Sequence, residues 1–265
     1  MYDADMIGIP DVQADFCEQQ IFDDNCAVVA ETSIINQFCP GLNLDQETAA
    51  YISATNGWYH PGGGTSPDAI GNMMDKFGID NHTNTCATAA DLAMELQQGH
   101  GVIVGVNSSE LWETGPLAEI KHEICKACGL DNPVWSPADH AVTITGIDVS
   151  DPDHPMAILN DSGVGATVKY PLDKFIDAWE NSGCYYVATN DPLPSMSNVG
   201  SELSQFWGRS PWVDAAAGVA SFATGAVVGY LTDDLEVGAY SGQLAGAVVY
   251  DLCNLLDDDN FARSI

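Results

Sequence analysis

The chain has 265 residues, 46% of them hydrophobic and including six Trp, nine Tyr and eight Phe, which excludes wholesale disorder and leaves room for one catalytic domain plus a smaller appendage. Seven basic residues oppose 38 carboxylates, for a formal net charge of −31; repulsion therefore excludes nucleic acid and anionic membrane surfaces as partners. An Asp-rich, Lys-poor surface keeps a protein soluble, fits high salt, and would also suit a cationic peptide.

The opening MYDADMIGIPDV is acidic and lacks both a basic n-region and a long apolar run, so no standard secretory signal is expected in it. The expected location is cytoplasmic, or exported by a route that needs no such signal. Eight cysteines, at 17, 26, 39, 86, 125, 128, 184 and 253, lack a small-scaffold disulfide spacing. That pattern favours a reducing compartment or buried free thiols.

From Cys26, CAVVAETSIINQF puts Ala27, Ala30, Ile34 and Phe38 on one stripe at helical spacing. The segment SPDAIGNMMDKFG (66–78) has an N-cap serine, a first-turn proline and a closing glycine, and is expected to be a second helix. ATAADLAMELQQG (87–99) predicts a third helix, feeding at once into the apolar strand GVIVGV (101–106). HAVTITGID (140–148) and MAILND (156–161), separated by VSDPDHP, predict an antiparallel pair. ATVKY (166–170) and CYYVATN (184–190) predict further strands, with PLDKFIDAWENSG between them as a helix. Helices first and an antiparallel sheet after them define an α+β class.

Composition shifts after NDPLPSMSN, so a boundary is expected there: a domain over residues 1–192 and a Gly/Ala-rich extension over 193–265. Within the extension, residues 212–231 and 235–256 are apolar with closely spaced small residues. They are expected to form an αα-hairpin, because Ala and Gly let helices approach closely. Membrane association through 212–256 is the alternative; Asp214, the following TDDLE and the lack of flanking cations weigh against a span.

The candidate chemistry centres on Cys26. A thiol attacks a carbonyl as its thiolate, and the N-terminus of a helix together with a nearby imidazolium lowers its pKa. Gln20 lies six residues before Cys26, where a side-chain amide can donate to the oxyanion of a tetrahedral intermediate. His140 opens a predicted strand, and Asn160 and Asp161 end the next one.

In the series Gln20, Cys26, His140 in ADHAVTITGID, and Asp161 in ILNDSG, the sequence resembles the papain-like cysteine peptidases, and most closely the bacteriocin-processing C39 group and its stand-alone relatives. The resemblance runs from about residue 13 to residue 190. It implies a papain-like fold and a peptide or protein substrate. It also implies hydrolysis through a Cys26–His140–Asp161 or Asn160 triad, with Gln20 at the oxyanion and no cofactor. Cleavage after a small-residue pair such as Gly-Gly would follow from the same likeness. The group has a proline after its Asp; here Ser162 stands in its place, with Asn160 just before. A strand alternates its side chains, so only one of Asn160 and Asp161 can point at His140.

Two other classes stay in play. One is a peptidase-like module that binds a peptide without cleaving it. The other is a related Cys/His acyltransferase or amidase. Zinc at HEICKAC (His122, Cys125, Cys128) is set aside, since a closed tetrahedral site needs four ligands and no second pair is suitably spaced. GGGT (62–65) lacks the Lys of a phosphate loop, and DVSDPDHP lacks EF-hand spacing; both are expected to be turns.

Overall fold

A computed structural model describes residues 5–112, 138–180 and 182–195. The HEICKAC stretch and the apolar segments 212–231 and 235–256 lie outside these residues. Among those described, no helix is long and apolar enough to cross a membrane.

The chain begins with strand β1 (Met6–Gly8), the short helix α1 (Pro10–Gln13) and a 3₁₀ turn over Ala14–Phe16. The long helix α2 (Cys26–Phe38) follows, then α3 (Gln46–Thr55), capped by the Asp45 carboxylate accepting from Thr48 N–H at 2.8 Å. A two-residue hairpin pairs β2 (Tyr59–His60) with β3 (Gly64–Thr65).

The helix expected over 66–78 is broken in two: a 3₁₀ turn at Pro67–Ala69, then α4 (Asn72–Lys76). Gly71 separates them at φ 103°, and a Cβ there would sit 2.4 Å from Asn81 Oδ1. The break lets Gly71 and Met73 N–H donate to the buried Glu31 carboxylate of α2, at 2.8 and 3.1 Å. A tertiary acceptor thus replaces helix continuity.

Next come β4 (Asn81–Asn84), α5 (Ala89–Gln97), β5 (Val102–Val106) and α6 (Ser108–Trp112). Helix α5 starts at a reciprocal cap, with Thr88 and Asp91 each bonding the other's backbone N–H. The chain then supplies β6 (His140–Asp148), β7 (Met156–Asp161), β8 (Ala166–Pro171), α7 (Leu172–Glu180) and β9 (Tyr186–Thr189).

Seven strands form one antiparallel sheet in the order β4-β9-β5-β6-β7-β8, with β1 joined to the far end of β6. This is the α+β arrangement, and β6 and β7 pair as their sequences predict. Helices cover both faces. Along β5, Val102, Val104 and Val106 enter one apolar layer with α5 and α7, whereas Ile103 enters the other with α2, α3 and α4. That two-sided burial is why GVIVGV is apolar at every position instead of alternating. Helix α2 is itself buried nearly all round, so its face is far wider than the single stripe drawn from the sequence. After β9, Leu193 is fully buried and its N–H donates to Gly99 O at 2.8 Å.

Candidate active site

Cys26 is the first residue of α2, where backbone N–H groups have no intrahelical acceptor and the helix dipole is positive. The loop leading to it is pinned from several sides. Asn25, fully buried, accepts from Phe22 N–H at 3.2 Å. Gln46, at the head of α3, accepts from Ile21 N–H at 3.2 Å and donates to Gln19 O and Glu18 Oε2, both at 2.9 Å. Two helix starts therefore share one loop, and the position of Cys26 is set by α3 as well as α2.

His140 opens β6 beside the thiol. The next residue, Ala141, donates its N–H to Cys26 Sγ at 3.4 Å, and the His140 ring lies beside the same sulfur, close enough to lower its pKa. Its Nε2 meets Asp161 Oδ1 at 2.8 Å, so Nδ1 is the nitrogen left for the thiol. Cys26, His140 and Asp161 thus form one continuous chain of contacts.

Asp161 is completely buried and surrounded by donors: His140, Trp112 Nε1–H at 2.8 Å, Gly163 N–H at 3.0 Å and Tyr170 O–H at 3.2 Å. Four donors match the acceptor capacity of a carboxylate. Burial pushes its pKa up, but the His140 and Trp112 bonds outweigh it and hold the group below the usual carboxylate range. For His140, burial works against the cation, yet the bond to Asp161 and the thiol beside it raise the imidazole to about 9. Burial likewise opposes a Cys26 thiolate, and the His140 hydrogen bond and charge, with Ala141 N–H, lower it below an ordinary thiol.

The neighbouring Asn160 points to the opposite face of β7. Its Nδ2 donates to Gln13 O at 2.8 Å and its Oδ1 accepts from Thr167 at 2.7 Å. Strand alternation thus directs Asp161 at His140 and gives Asn160 to the packing of α1 on the sheet.

Gln20 is tied to the residue after Asp161. Its backbone N–H donates to Ser162 O at 2.9 Å, and its side-chain oxygen accepts from Ser162 Oγ at 3.1 Å. One amide N–H is directed to Phe22 O at 2.9 Å. Its hydrogen bonds run to this loop and to Ser162, and none reaches Cys26 or His140.

Trp112 and Tyr170 are site residues that sequence reasoning missed. Trp112 ends α6, with its ring 5.1 Å from the His140 ring and tilted by 60°. It lies in contact range of Gly163, where an added Cβ would approach the indole to 2.6 Å. The sequence signal was the glycine two residues past Asp161, legible only once the indole is known to lie there. Among the described residues no cluster of His, Cys, Asp and Glu is arranged to hold a metal ion.

A thiol held below its ordinary pKa, an imidazole between thiol and carboxylate, and a helix start at the sulfur are the arrangement that a nucleophile, base and orienter require. The Peptidase_C39 like family model matches residues 13–187, more than half of the chain and inclusive of every residue of this site. The chain belongs to that family, and the family supports a peptidase-type function. Among solved structures it is similar to a candidate C39-like peptidase from Bacillus anthracis, at 14% identity and a TM-score of 0.48, over 71% of this chain and 98% of that one. Among curated proteins none matches.

Proposed function

We propose that the protein is a cysteine peptidase in which Cys26 is the nucleophile, His140 the general base and acid, and Asp161 the residue that orients and charges the imidazole. The observation that carries this reading is the unbroken series from Cys26 Sγ through the His140 ring to Asp161 Oδ1, with Nε2 of the ring 2.8 Å from the carboxylate.

In the resting site the Cys26 proton resides on His140 Nδ1. The thiolate attacks the scissile carbonyl carbon, and the developing oxyanion is met by the Cys26 backbone N–H and by the second amide N–H of Gln20. His140 Nδ1–H then protonates the leaving amine as the C–N bond breaks, leaving a thioester on Cys26. The neutral imidazole takes a proton from water, whose oxygen attacks the thioester. The carboxylic acid departs and the ion pair returns. The Ser162 hydroxyl on Gln20 Oε1 orients that amide, and the Trp112 indole shields the His140–Asp161 bond from water.

Cleavage after small residues such as Gly-Gly is the specificity the family likeness suggests. Residues 193–265 are proposed as a helical extension, anchored at its start by Leu193, which is buried against the catalytic unit. Incubation with a peptide library, read by product mass, tests the reaction. The expected products are new carboxylic acid termini, made by the wild type and absent with Cys26→Ala. Binding of peptides with no turnover would identify a peptide-binding module, and amine adducts in place of acids would identify a transferase.

A further inference from the structure

The ladder between β4 and β9 ends at the pair Asn84 and Tyr186. Beyond it the two chains remain clamped: Cys86 N–H donates to Gly183 O at 2.8 Å, and Ala87 N–H donates to Cys184 O at 3.2 Å. Two cysteines far apart in sequence are thereby held on adjacent chains across one gap. Both are free thiols, Cys86 exposed and Cys184 half-buried against the apolar layer of α5 and α7.

Both also have backbone torsions in the left-handed region, φ 58° at Cys86 and 52° at Cys184. Side chains larger than glycine rarely adopt that region, and it persists where the surroundings fix it. Neither thiol belongs to the mechanism above. The pair nevertheless sits at the catalytic end of the sheet: β9 pairs with β5, whose last residue, Val106, pairs with His140. At about 5 Å per strand, Cys184 lies about 10 Å from the base, near it but outside contact.

We propose that Cys86 and Cys184 are a redox-linked pair, which a low-molecular-weight disulfide converts to an intramolecular disulfide fastening β4 to the start of β9. The exposed Cys86, as thiolate, attacks one sulfur of the small disulfide, forming a mixed disulfide and releasing one small thiolate. Cys184, as thiolate, then attacks the Cys86 sulfur, forms the internal bond and releases the second. The two protein thiols lose two protons and two electrons, and both leave with the reduced small thiols. The closed loop contains β5, His140, Asp161 and α7, so the bond restrains in the unfolded chain the segment that supplies base and orienter. Burial and the nearby Glu180 and Cys86 push the Cys184 thiol up, so closure should quicken as pH rises.

The test uses the full chain carrying Cys26→Ala, so that the nucleophile cannot trap the oxidant, with oxidised glutathione as the probe. After quenching with N-ethylmaleimide, peptide masses should show Cys86 linked to Cys184, and the thermal midpoint should rise by about 5 °C or more over the reduced protein. Cys86→Ser on the same background should show neither. Recovery of both cysteines as maleimide adducts or glutathione mixed disulfides, linkage of either to a different cysteine, or a linked peptide with no change in midpoint would overturn the proposal. Because Cys26 is absent from this experiment, its failure leaves the peptidase reading untouched.

Discussion

Trp112 and Asp161, 49 residues apart, are joined by an indole N–H donating to Oδ2 at 2.8 Å while His140 occupies Oδ1 of the same carboxylate. The indole therefore does two things at once. It supplies a charge-assisted hydrogen bond that helps keep Asp161 ionised, and its ring lies beside the imidazole that Asp161 orients.

Trp112→Phe separates these two effects, because it keeps a ring and removes the donor. Loss of one hydrogen bond to a charged group of this kind is worth about 1.5–3 kcal/mol, so kcat/KM should fall about 10–100-fold. Asp161 is completely buried, so the loss of one of its donors should also lower the thermal midpoint. Peptidase assays and calorimetry on the same preparation check both halves.

Asn160 and Asp161 are adjacent in sequence but opposite in consequence. Asn160→Ala removes both partners of a buried amide, Gln13 O and Thr167, and should cost about 1–3 kcal/mol in stability with the reactivity of Cys26 unchanged. Asp161→Asn should instead slow alkylation of the thiol near pH 6, at some cost in stability because an amide cannot accept all four donors. Denaturant melts alongside alkylation rates distinguish them.

Much of this site was legible in the sequence because its members sit at element boundaries. Cys26 heads a helix, His140 opens a strand and Asp161 closes one, and each boundary is marked by the change in apolar period. The choice between Asn160 and Asp161 depends on which face of β7 is turned to His140, and the pattern MAILND, buried from Ala157 onward, does not reveal a face. Trp112 and Tyr170 were hidden for a different reason: aromatic residues in a core-forming chain carry no mark of a polar role until their donors are placed. The expected helix over 66–78 failed because Glu31 of α2 is buried and claims the backbone donors at its break.

That buried carboxylate gives a pH prediction. Burial raises Glu31 from 4.5 to about 7 despite the N–H groups of Gly71 and Met73. A folded-state pKa above the unfolded one means stability is fully present below about pH 4.5 and declines as pH rises to about 7, a loss of about 3 kcal/mol. Glu31→Gln should remove that part of the decline, raising the unfolding midpoint at pH 8 relative to wild type but not at pH 4.5. Urea melts across this range provide the check.

Gln20 is held by Ser162 at its oxygen, which leaves its amide as the donor. Gln20→Ala should lower kcat about 100–1,000-fold, as for the loss of one oxyanion donor, while Cys26 still alkylates at the wild-type rate. Ser162→Ala should give a smaller fall in kcat of the same kind, since it frees the amide without removing it. Steady-state kinetics and single-turnover labelling separate donor loss from loss of the nucleophile.

The most direct measurement is the rate at which iodoacetamide alkylates Cys26 as a function of pH, with the exposed Cys86 in the same digests as the internal comparison. Because His140 lowers the thiol and is itself raised to about 9, the two shifts together favour the thiolate–imidazolium pair, whose limits belong to the pair as a whole. Cys26 should therefore react faster than Cys86 at pH 6, and His140→Ala should abolish that advantage. If Cys26 at pH 6 is alkylated no faster than Cys86, the thiol is not activated and the peptidase reading is wrong.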